Sequence, residues 1–100
     1  MLTIDQEARG WHGGEYVFCR DLVASMYAGE RQESLRLIGS DDPKTIATYL
    51  RLQAATACRH NKYELSARLG AAVTAINEDA RNDHAPDWAC ALQTLNAVWE

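Results

Sequence analysis

Apolar residues recur along this chain at helical spacing, and no segment alternates apolar and polar positions strictly over five residues, so helices are predicted and strands are not. The clearest pattern runs from Asp42 to Arg81. Asp42-Pro43 offers a capping carboxylate followed by the residue best tolerated in a first helical turn, so a helix is predicted from Pro43 to about His60. Asn61 is able to adopt the left-handed conformation that ends a helix. The return segment places Leu65, Leu69, Ala72, Val73, Ile76 and Ala80 within about 100° on a helical wheel, with Glu64, Thr74, Asn77, Glu78 and Arg81 on the other sides. Two antiparallel helices joined at Arg59-His60-Asn61-Lys62 therefore form the expected centre of the fold.

The other elements follow from the same reading. Thr3 with Gln6 matches a capping box, and a short helix is expected to run to Arg9 before Gly10. Gly10-Trp11-His12-Gly13-Gly14 reads as a loop. From Glu15 to Ala28, Phe18, Leu22, Met26, Cys19, Val23, Tyr16 and Tyr27 spread over about 180°, the pattern of a helix with neighbours on two sides. A short helix carrying Leu35, Leu37 and Ile38 is expected over 30–38, closed by Gly39. The helix from Pro43 has Ile46, Leu50, Ala54 and Ala57 as its main stripe, while Tyr49 and Leu52 lie off it and widen the apolar arc to roughly 200°. After the turn formers Asn82 to Ala85, a last helix is expected from Pro86, with Trp88, Leu92, Leu95 and Trp99 spaced by four, three and four.

The expected fold class is all-α: a single domain over 1–100, with five or six short helices in a compact bundle around the central hairpin at about 43–81. One hundred residues supply one modest core, and 47% apolar with 24% charged residues is ordinary globular composition. A formal net charge of −4, with the Lys and Arg scattered, argues against a phosphate-attracting field and makes nucleic acid an unfavoured partner. Cys19, Cys58 and Cys90 are odd in number and widely spaced, so a closed disulfide framework cannot use them all, and a reducing cytoplasm is the expected setting. The first residues show neither the basic flank nor the apolar run of a secretory signal, and no stretch reaches the roughly twenty apolar residues of a spanning helix.

Candidate chemistry is sparse. His12 with Cys19, Cys58 with His60, and His84 with Cys90 are ligand types without the close Cys pairs of structural zinc sites, and Cys58 and His60 point about 200° apart on a helix. Gly10, Gly13 and Gly14 follow no strand and lack the Lys-Ser/Thr of a phosphate cradle. The carboxylates at Glu30, Glu33, Asp41, Asp42, Glu78, Asp79 and Asp83 suit helix ends and solvated faces. No metal, cofactor or catalysis is expected.

Tyr63-Glu64-Leu65-Ser66-Ala67-Arg68-Leu69-Gly70 followed by Ala71-Ala72-Val73-Thr74-Ala75-Ile76 resembles the first helix and glycine turn of the helix-turn-helix of bacterial repressors, with Ser66, Gly70 and Ile76 at the matching positions. That resemblance implies a nucleic-acid-binding regulator. Asp79 departs from it where the second helix buries an aliphatic, and Glu78, Asp79 and Asp83 oppose phosphate contact. The unbroken phase of the Leu65 to Ala80 stripe through Gly70 favours one continuous helix. The same region also resembles one unit of a tetratricopeptide-type helical hairpin at Ala54, Tyr63 and Ser66, without a second copy at that period.

What remains is the apolar surplus. Trp11, Tyr16, Phe18, Tyr27, Tyr49, Trp88 and Trp99 are many large rings for this length, and two helices have wide apolar arcs. The expected function is a non-catalytic protein-binding module: an adaptor, a chaperone-like protein or an inhibitor that docks on a larger protein. The acidic balance suits a partner with a basic surface, and a homodimer is a further expectation. Trp11, His12, Tyr49 and Leu52 are the expected contact residues, with Arg51 and Arg59 as rim charges.

Overall fold

A computed structural model of the chain describes residues 15–81 and 86–96. The expected helix over 3–9 and the Trp11-His12 loop lie outside the described residues. Among those described are five helices and no strand: α1, Glu15–Tyr27; α2, Arg31–Ile38; α3, Pro43–Arg59; α4, Tyr63–Arg81; and α5, Trp88–Asn96. The fold is an all-α bundle.

Helix ends follow local backbone chemistry. At the end of α1, Gly29 is left-handed at φ 75°. Glu30 N–H bonds Ser25 O at 2.8 Å and Gly29 N–H bonds Met26 O at 3.2 Å, the paired bonds of a Schellman motif. The end of α3 repeats this with Asn61 at φ 63°: Lys62 N–H reaches Ala57 O at 2.8 Å and Asn61 N–H reaches Cys58 O at 3.1 Å. Gly39, also left-handed, donates to Leu35 O at 2.8 Å and ends α2.

The starts of α3 and α5 differ from expectation. Asp42 occupies the position before α3, with Pro43 in the first turn, but its carboxylate caps no backbone N–H. It accepts instead from the Thr45 hydroxyl at 3.2 Å. The last helix starts at Trp88 rather than Pro86, because Asp87 Oδ1 accepts from Cys90 N–H at 2.9 Å and acts as the N-cap.

Packing is built around the hairpin of α3 and α4, whose contact is the most extensive in the molecule. Ile46, Leu50 and Ala57 face Leu65, Leu69, Ala72 and Ile76 in one buried cluster, as the stripes predict. Each fully buried Leu or Ile contributes roughly 1.5–3 kcal/mol of transfer free energy. Ser66 Oγ donates to Ala54 O at 2.8 Å and ties the two helices together near the turn. α5 packs on α4 and α1, and α1 also meets α2 and α3, which accounts for its wide apolar arc. Of the predicted last stripe, Leu95 is buried and Trp88 and Leu92 are half-buried, while Trp99 lies outside the described residues.

Two side chains from other helices reach backbone carbonyls of α5. Here the buried Tyr16 hydroxyl, from α1, donates to Leu95 O at 2.8 Å, and Arg68 of α4 donates to Thr94 O at 3.0 Å while pairing with Glu64 at 3.1 Å. Burial pushes the Tyr16 phenol well above its usual range, with nearby Arg68 opposing the shift.

Candidate interaction surface

Helix α3 turns Ile46, Ala47, Leu50 and Ala57 inward, so its opposite side is set by the residues between them. That outer side carries Lys44, Thr45, Thr48, Arg51, Leu52, Ala55, Cys58 and Arg59, all exposed. Leu52 is 61% exposed. Tyr49 sits at the border, half-buried against the core, with its ring edge-on to Phe18 of α1 at a centroid distance of 5.9 Å. Tyr49 and Leu52, with Lys44, Thr45 and Thr48, line an open groove of about 350 Å³.

The threonines make this face less polar than their formulae suggest. Thr48 Oγ1 donates to Lys44 O at 2.9 Å and Thr56 Oγ1 to Leu52 O at 3.0 Å, so both hydroxyls are spent on their own helix backbone. Arg59 donates to the Thr56 hydroxyl at 3.3 Å. The groove is mostly apolar with Lys44 in its lining, and Arg51 and Arg59 are exposed elsewhere on the outer side of the same helix.

Of the residues singled out from sequence, Tyr49, Leu52, Arg51 and Arg59 thus share one helix, with the two apolar ones side by side in the groove. Tyr49 is less free than its off-stripe position suggested, because α1 supplies Phe18 to cover it. Trp11 and His12 lie outside the described residues. Two exposed rings elsewhere had not been singled out as contacts. Tyr27, 60% exposed, lines a smaller, more enclosed groove of about 280 Å³ with Ala89, Leu92, Gln93 and Asn96. Tyr63, 63% exposed, donates to Asn61 Oδ1 at 2.9 Å. The uninterrupted basic character of α3, which carries Lys44, Arg51 and Arg59 and no acid, was visible in the sequence as a 17-residue stretch without Asp or Glu.

Other candidate chemistry is dispersed. Cys19 is buried, while Cys58 and Cys90 are exposed, and none of the three is in a disulfide. Among the described residues no three His, Cys, Asp or Glu side chains gather as metal ligands would. No described helix is long and apolar enough to cross a membrane. α4 runs unbroken through Gly70, so the glycine turn of a repressor-type helix-turn-helix is not formed.

The fold and this face together define a small all-α bundle with an apolar groove on a helix that carries three cations and no acid. Compared with models of known protein families, with curated proteins and with solved structures, the chain matches none.

Proposed function

We propose that this protein is a non-catalytic binding module, of the adaptor, chaperone-like or inhibitor kind, that docks on a larger protein through the outer side of α3. The observation that carries this reading is Leu52, a large aliphatic 61% exposed beside half-buried Tyr49 in an open groove. Protein interfaces concentrate their binding energy in a few apolar or aromatic anchors with a polar rim, and this groove has that composition. The helix presenting it is fixed by its hairpin partner, so little ordering cost is incurred on binding.

Affinity capture from native lysate tests the reading. The expected result is a set of proteins retained by the wild-type chain and by Thr74→Asp, a change on an exposed position of α4, but lost with Leu52→Asp. If the captured proteins are the same for all three baits, or if none is retained above background, α3 is not the docking face.

A further inference from the structure

Resting on the reading of α3 as the docking face, we propose that its occupant is an acidic amphipathic helix of the partner. Its apolar side chains would seat on Leu52 and Ala55, and its carboxylates would meet Lys44, Arg51 and Arg59. The starting observation is where unmatched charge lies. The chain as a whole carries −4, with 14 acids against 10 Lys and Arg. Its cations are accordingly drawn into pairs elsewhere: Arg31 with Asp41 at 3.9 Å, Arg68 with Glu64 at 3.1 Å, and Arg36 with Glu33. On α3 the opposite holds. Lys44 and Arg51 have no hydrogen-bond or ion-pair partner among the described residues, and Arg59 meets only the Thr56 hydroxyl. The nearest acid along the chain, Asp42, stands at one end of the helix and accepts from Thr45.

Leaving three cations unmatched in an acid-rich chain gives this face a local field opposite in sign to the total. With screening over roughly 10 Å at 0.1 M salt, a docking segment responds to these nearest charges rather than to the net −4. The acidic total alone suits a basic partner, but at α3 the complement is acidic.

Spacing specifies the shape of the occupant. Lys44, Arg51 and Arg59 are separated by seven and eight residues, about 10.5 Å and 12 Å at 1.5 Å per residue, or two helical turns each. Carboxylates two turns apart on a facing helix have the same interval, and apolar residues between them fall opposite Leu52 and Ala55. Nucleic acid suits the face less well. Phosphates follow one another at about 3.4 Å per strand, so three cations this far apart neutralise few of them, and Leu52 between them offers nothing to a charged backbone.

Synthetic helical peptides provide the probe. One carries Leu along one side and Glu at two-turn intervals beside it; its twin has Lys in place of every Glu. Each is titrated into the full-length chain, with backbone amide shifts as readout, and a short DNA duplex is run in parallel. The expected result is that the Glu peptide moves the amides of Thr48, Leu52 and Ala55 while the Lys twin does not. Arg51→Glu, on an exposed position, then weakens the Glu peptide roughly tenfold without lowering the melting temperature. Raising the salt to about 1 M, where screening shortens to roughly 3 Å, weakens it as well.

Equal or tighter binding of the Lys twin at α3 overturns the acidic occupant but leaves α3 as a protein-docking face. Shifts produced by DNA in place of either peptide, or no shift on α3 with millimolar peptide, also overturn it. Failure of the Leu52-dependent capture removes the docking reading itself, so the two failures are told apart.

Discussion

At the scale of single residues, the buried phenol of Tyr16 has the most measurable consequences. Its hydroxyl donates to Leu95 O of α5 across the core at 2.8 Å, a buried bond that ties the first described helix to the last. Tyr16→Phe keeps the ring and removes the donor, so the expected cost is about 1–2 kcal/mol, or a Tm lower by on the order of 5–15 °C. The same group sets an alkaline limit. In the unfolded chain a tyrosine loses its proton near pH 10, whereas burial holds the folded Tyr16 protonated well beyond that. The folded state therefore binds more protons above pH 10, and stability is constant with respect to this group below that pH and declines as pH rises past it. Thermal melts from pH 8 to about 11 should show the decline in the wild type and a shallower one in Tyr16→Phe. Asn61 supplies a second residue-scale prediction. Its φ of 63° is strained for an ordinary side chain, so Asn61→Ala should cost about 1 kcal/mol, while Asn61→Gly should leave Tm nearly unchanged or raise it.

At the scale of elements, α4 separates two readings that its sequence permits. A glycine at the middle of an apolar stripe either ends one helix and starts another or sits within a single helix at an entropic cost. The structure has the single helix, and a methyl group built at Gly70 meets nothing within 4 Å. Gly70→Ala should therefore stabilise the protein by about 0.5–1 kcal/mol, seen as a Tm several degrees higher. A fall in Tm would mean that the backbone bends there. Elements of this kind were legible because burial is written into periodicity: Leu65, Leu69, Ala72, Val73 and Ile76 share a face, and all are buried. The turn at Asn61 was legible too, since few residues accept positive φ. The true start of α5 was not, because Pro86 and Asp87 are both good starters and only the bond from Cys90 N–H to Asp87 decides between them. The clasp of Tyr16 and Arg68 on the backbone of α5 joins residues 79 apart in one case and 26 in the other, and no local pattern records such pairings. For the candidate surface, sequence isolated Tyr49 and Leu52 as a pair. It could not divide them, because whether Phe18 covers one of them depends on how α1 crosses α3.

At the scale of the whole molecule, that division separates folding from docking. Tyr49 contributes to the bundle through its ring contact with Phe18 and its seat against the core, so Tyr49→Ala should cost about 2 kcal/mol. Leu52 projects from the same helix one turn on but lies outside the core cluster, so Leu52→Ala should change stability by less than about 0.5 kcal/mol. The two residues line one groove together with Thr45 and Thr48, so the double variant is to be measured beside the singles rather than inferred from their sum. Urea melts of the three variants read the partition directly, and an unchanged m-value would show that the native and unfolded states keep their compactness. Were Leu52→Ala to cost as much as Tyr49→Ala, Leu52 would be packed within the fold, and the outer side of α3 would lose the exposed aliphatic on which docking depends. With the cost falling on Tyr49 alone, the bundle keeps its core while leaving Leu52 and three cations outward on a rigid helix. Substitutions at Leu52 or Arg51 then alter binding at constant stability, whereas those at Tyr49 or Tyr16 alter binding only by reducing the folded population.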